Sequence, residues 1–218
     1  MEGKDKKKTD WRPYYPYIIP FTAFMILTEI SRLIEGSVYY VYPIKTLVAA
    51  LLIIYYWKSY KELSMGWTFF ALFAGIAVFI IWVGFDDFYP KLDAASYDPG
   101  IFESRMFRAW LIFNRMIGSV IVVPVMEELF WRSFVLRFII NVDFLKVKFG
   151  TFTWTSFIIS SLLFGSEHSQ WLVGIIAGAI YNVVLYHRRE LSDCIAAHAI
   201  TNFLLGVFVI ASGRYEFW

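Results

Sequence analysis

Long apolar blocks separated by short polar or charged connections run through this chain. They lie near Tyr14 to Ser31, Val38 to Trp57, Trp67 to Phe85, Met116 to Ile140, Trp154 to Gly165, Leu172 to Tyr186 and Ile195 to Ile210. A helix needs about 20 predominantly apolar residues to cross the hydrocarbon core of a bilayer, and most of these blocks approach that length. The pattern predicts an all-α fold, a polytopic membrane helix bundle of about seven to eight spans. It divides the chain into a tail at 1–13 and a single transmembrane domain at 14–218.

Composition supports this reading. Of 218 residues, 59% are hydrophobic and 21% aromatic, well above the roughly 45 to 50% apolar content of a soluble domain. The formal net charge of +2, carried mainly in the connections, gives no basic face for nucleic acid. The single cysteine, Cys194, excludes an internal disulfide and reads as a buried, inert thiol.

The placement of the charges suggests an orientation. The tail carries Lys4, Lys6, Lys7, Lys8 and Arg12. The first apolar block contains Glu29 and ends without a small-residue cleavage pattern, so it is expected to stay as an uncleaved first helix. The positive-inside rule places that tail, Lys58 with Lys61, the Arg137 to Lys148 loop and His187-Arg188-Arg189 in the cytoplasm. The loop from Asp86 to Glu103, with Asp86, Asp87, Asp93 and Asp98, becomes an acidic outer connection. Arg105, Arg108 and Arg115 then fall on the outer side, where an interfacial helix with Phe102, Met106, Trp110 and Phe113 against lipid would accommodate them.

Inside the fourth block, Val125-Met126-Glu127-Glu128-Leu129-Phe130-Trp131-Arg132 sets two carboxylates and an arginine in an apolar run. Insertion scales charge about 2.5 to 3.5 kcal/mol for each ionised side chain at a bilayer centre, so three together call for a compensating role. Glu128 and Arg132 stand at i, i+4 and are expected to pair. A packing ion pair accounts for those two residues and leaves Glu127 unexplained. Glu127 points about 100° away on the same helix and is the candidate general base. Pro124, one turn earlier, is expected to kink the helix and open space beside it.

Two further i, i+4 pairs follow. Phe164 and His168 close the fifth block, and His198 and Asn202 lie in the seventh among small residues. Each has a bland alternative, an interfacial histidine for the first and an interhelical hydrogen bond for the second. Glu167 reads as a solvated loop acid, Glu29, Arg32 and Glu35 as local pairing at the interface, Asn182 with Ser160 and Ser161 as interhelical hydrogen-bonding groups, and Gly174 with Gly178 as a close-packing step. Glu127 near mid-span and His168 near a span end meet only if helices bend or the fifth is re-entrant.

At these residues the chain resembles the CAAX protease and bacteriocin-processing family (also called Abi) of intramembrane proteases, which includes the type II CAAX prenyl endopeptidases. The family motifs EExxxR, FxxxH and HxxxN are matched in order by Glu127, Glu128 and Arg132, by Phe164 and His168, and by His198 and Asn202. The matched region, 116–210, covers about the C-terminal half.

The resemblance implies a glutamate-dependent peptidase of the membrane without a cofactor. Glu127 and His168 would hold and activate water, His198 and Asn202 would stabilise the oxyanion, and Glu128 with Arg132 and Phe164 would orient the site. It implies a peptide or protein C-terminus as substrate, prenylated for some members, and a bacterial or archaeal cell membrane with the N-terminus in the cytoplasm. The chain is also similar to the compact CAAX-protease-related proteins found beside exosortase systems. Three rivals remain open: a metal-dependent variant with Glu127, His168 and His198 as ligands, a non-catalytic scaffold or bacteriocin immunity protein, and a proton-coupled transporter.

Overall fold

The computed structural model describes residues 10–64, 66–92 and 97–218. Residues 1–9 of the expected cytoplasmic tail, and Asp93 of the expected acidic loop, lie outside them. All the apolar blocks are helical. In chain order they form α1 (Tyr15–Leu33), α2 (Val38–Tyr55), α3 (Phe69–Gly84), α4 (Arg105–Ile140), α5 (Trp154–Ser166), α6 (Trp171–Arg188) and α7 (Leu191–Ser212). No strand occurs among the described residues.

Four of these helices, α2, α4, α6 and α7, are long and apolar enough to cross a membrane, which makes this a multi-pass membrane protein. The apolar α3 and α5 are shorter, at 16 and 13 residues. Local chemistry marks several ends. The Ser104 hydroxyl accepts from the Phe107 amide at the start of α4, and the Thr153 hydroxyl accepts from the Ser156 amide at the start of α5. α7 stops at Gly213, whose φ of 72° suits a residue without a Cβ.

One expectation about the fourth block is corrected. The segment with Arg105, Arg108 and Arg115 is not a separate interfacial helix. It forms the first turns of α4, a 36-residue helix with no proline between Ser104 and Pro124 to end it. Beside Glu127, where Pro124 is expected to kink the helix, the backbone leaves regular α geometry. Two π turns, Gly118–Val122 and Leu129–Val135, flank the α-helical Val123–Glu128. Each π turn accommodates extra backbone and swings the following side chains to a new direction. Pro124, which has no amide proton to give, sits two residues after the first of them.

α7 is central, packed on α3, α4 and α6, while α1 with α2 and α5 with α6 form antiparallel hairpins. Backbones approach closely where side chains vanish: a Cβ on Gly75 of α3 would lie 2.5 Å from the Ala197 carbonyl oxygen of α7. The connections gather at two ends. At one end the Tyr14 hydroxyl donates to the Val142 carbonyl, Ser64 bonds Glu190 and Thr68 bonds Asp193. At the other, the Leu92 amide donates to the Ser169 carbonyl and Arg214 reaches Asp86. The connections predicted to share the cytoplasmic side meet at the first end, and the acidic loop lies at the second.

Candidate active site

α4, α5 and α7 bring the three motif pairs together. The predicted pair forms, with Arg132 Nε 3.2 Å from Glu128 Oε2 and Arg132 Nη1 donating to Glu128 Oε1 at 3.2 Å, both side chains fully buried. Arg132 also donates to the Gly178 carbonyl at 3.2 Å and lies 4.3 Å over the Phe164 ring. Phe164 is therefore a wall for the guanidinium as well as for His168.

His198 lies between the two glutamates. Its Nδ1 is 2.9 Å from Glu128 Oε1, and its Nε2 is 4.0 Å from Glu127 Oε2. The ring stacks on Tyr181 at 5.1 Å and 22°, and Tyr181 is anchored by its hydroxyl, which donates to Thr201 Oγ1 at 2.8 Å. With Nδ1–H given to the Glu128 carboxylate, His198 can donate toward Glu127 only when the ring carries a second proton.

His168 Nδ1 lies 2.9 Å from the Phe164 carbonyl oxygen. A carbonyl only accepts, so Nδ1 carries the proton and Nε2 presents a lone pair. Asn202 gives one amide proton to the Ser119 carbonyl at 2.8 Å. Glu127, His168, His198 and Asn202 all line one cavity of about 300 Å³. Convergence at different depths is achieved by the short α5, which ends just before His168, and by the π turns of α4. A separate apolar groove of about 570 Å³, walled by Phe21, Met25, Phe130 and Phe134, holds none of the motif residues.

Glu167 corrects another expectation. It is only partly exposed, lines the same cavity and accepts from the Trp131 indole at 3.2 Å. The indole sits one residue before Arg132, so the tertiary fold and not the local sequence turns Glu167 inward. Glu127, His168 and His198, the alternative metal ligands, share the cavity. Among the described residues, however, no group of three or more His, Cys, Asp or Glu is spaced to hold a metal ion.

Comparison with known proteins gives the arrangement a family. The family model described as type II CAAX prenyl endopeptidase Rce1-like matches residues 100–204, which include all seven motif residues. This segment is an Rce1-like CAAX protease family domain. Among curated proteins, the UPF0177 protein YaiF of Lactococcus lactis subsp. lactis (strain IL1403) is similar, 36% identical over 99 residues. That match covers 44% of this chain and 40% of the relative. No solved structure matches.

The Rce1-like domain does not build the cavity alone. Lys45 of α2, Trp82 of α3, and Phe217 and Trp218 beyond α7 also line it. Lys45 is the residue sequence reasoning missed most plainly: a lysine in the middle of an apolar helix, only 7% exposed. The signal was present, since an ionisable residue inside a span is a functional candidate by default.

Proposed function

We propose that this chain is an intramembrane endopeptidase that hydrolyses a peptide bond with a water activated by Glu127. The observation that carries this reading is Glu127 Oε2, buried in the cavity without a hydrogen-bond partner among the described residues, in a site shared with two imidazoles. Water held between Glu127 and the lone pair of His168 Nε2 would lose a proton to the carboxylate as its oxygen attacks the scissile carbonyl. Passed to His198 Nε2, that proton makes an imidazolium braced by Glu128. It then donates to the tetrahedral oxyanion together with the second amide proton of Asn202. Collapse breaks the C–N bond, and the proton leaves with the new amine. Glu128, Arg132 and Phe164 act by holding His198 and the wall of the site in place.

In this reading all seven helices cross or enter the membrane of a bacterial or archaeal cell. The end with the basic connections faces the cytoplasm, and the cavity opens toward the opposite end. The substrate is a peptide or protein C-terminus in contact with lipid, and the family description makes a prenylated one the first to try. The test uses the purified full chain in lipid nanodiscs with a mixed peptide pool, prenylated and unmodified, and product detection by mass. Wild type is expected to cleave. Glu127→Ala and His198→Ala should each lose about 100-fold or more in rate with unchanged folding. Cleavage surviving both changes overturns the proposal and leaves a scaffold or immunity role. Activity lost on chelation and restored by one metal replaces the glutamate-only mechanism.

A further inference from the structure

The catalytic cavity contains a second chemistry that hydrolysis does not use. Beside α1, Lys45 is buried, and its Nζ donates to the Thr28 hydroxyl at 2.8 Å. Its other neighbours are ring faces, with Nζ 4.3 Å from the centre of Phe24 and 5.2 Å from that of Tyr42. Arg115 lies against the same Tyr42, its Cζ 4.3 Å from the ring centre, and its Nε is buried without a hydrogen-bond partner. Both side chains line the cavity that holds Glu127.

Neither cation has an ion-pair partner among the described residues. Of the nearby carboxylates, Glu29 pairs with Arg32 at 2.8 Å and Glu216 with Arg214 at 2.6 Å, while Glu127, on the wall of the same cavity, forms no ion pair with either cation. A hydroxyl and two aromatic faces stabilise a buried ammonium only in part, and burying an ion without a counter-charge is costly. Lys45 and Arg115 retain several unused donors on the wall of the cavity that also holds the catalytic groups. We propose that they form an anion-binding subsite that takes the terminal carboxylate of the peptide whose bond is cleaved near Glu127.

This inference rests on the peptidase reading and narrows its substrate. Arg115 and Glu127 are 12 residues apart on α4, about 18 Å along a helix. An extended peptide covers roughly 3.3 Å per residue, so about five residues bridge that distance. A carboxylate held by Lys45 and Arg115 thus sets the cut a few residues from the C-terminus. A lipid phosphate fits the same charges less well. Lys45 lies seven residues inside α2, about 10 Å from its start, and a headgroup would have to be drawn to that depth.

The test measures binding in the Glu127→Gln protein, which cannot cleave. Two fluorescein-labelled pools of short apolar peptides are compared, identical except for a free carboxyl or a carboxamide terminus. The free acids are expected to bind about 10- to 100-fold more tightly, as befits charge-assisted hydrogen bonds. Lys45→Met and Arg115→Gln should each shrink that ratio, and Lys45→Arg should keep most of it. Equal binding of acids and amides overturns the proposal, and this comparison needs no variant at position 45 or 115. An unchanged ratio in Lys45→Met, accompanied by loss of co-purifying anionic phospholipid, also overturns it and assigns the site to lipid. If wild type cleaves no peptide, the peptidase reading falls, while the acid-over-amide ratio is still read on its own.

Discussion

The imidazole of His198 is hydrogen-bonded through Nδ1 to Glu128 and faces the adjacent Glu127 across 4.0 Å at Nε2, and of the two glutamates only Glu128 pairs with Arg132. The Glu128–Arg132–His198 group is fully desolvated, so its parts are worth more together than apart. Arg132→Met is expected to destabilise the protein by about 3 to 5 kcal/mol because it strands the Glu128 carboxylate in the core. Adding Glu128→Gln to Arg132→Met should recover a large part of that loss, even though it removes a second native group. Unfolding in detergent measures both variants, and simple additivity would show that the two side chains are not coupled. The i, i+4 pair was readable from sequence because both partners ride on one helix. The His198 contact was not, because 70 residues separate it from Glu128 and no local rule sets how α7 faces α4. Glu167 was misread for the same reason, its partner Trp131 being supplied by another helix.

At the scale of elements, the site depends on how closely α5 can lie on α6. A Cβ placed on Gly178 would come within 3.2 Å of Phe164 Cβ and Cδ1 and within 3.3 Å of Ser161 Cα. Asn182, one turn further on, donates to Ser160 and Ser161 at 2.9 and 3.1 Å and keeps the two helices in register. Gly178→Val should therefore lift α5, displace Phe164 from Arg132 and move His168. The expected stability loss is about 1 to 3 kcal/mol, typical of overpacking, with a larger proportional fall in kcat/KM. Val183→Ala on the exposed face of the same helix is the control and should change neither. If activity and stability fall no further in Gly178→Val than in the control, α5 is not positioned by this contact. The small-residue step, the interhelical amide and the helical blocks were all legible as patterns. The π turns of α4 were not, because they arise where Pro124 and the buried polar groups must be satisfied together, and apolar periodicity carries no mark of that.

For the whole molecule, Asp86 joins three parts of the chain at the end where the cavity lies. Its buried carboxylate, in the turn after α3, accepts from Lys91 at 2.7 Å, from Arg214 beyond α7 at 2.9 Å and from Gln170 between α5 and α6 at 2.9 Å. Gln170 in turn accepts from the Trp82 indole, and both side chains line the cavity. Burial pushes the Asp86 carboxyl up, but the hydrogen bonds from Lys91 and Gln170 and the nearby cations outweigh it and hold the group below its ordinary range. A carboxylate depressed in the folded state binds fewer protons there than when unfolded, so it stabilises the fold above its unfolded value of about 3.9. That contribution falls away as pH drops through the lower, folded value. Asp86→Asn should lower the thermal midpoint at neutral pH, and the gap to wild type should narrow progressively below about pH 4. Other carboxylates titrate in both proteins, so the informative quantity is the difference between the two midpoints across the pH series. A gap of constant size down to the most acidic point would mean that packing around position 86, and not its charge, ties the three segments together.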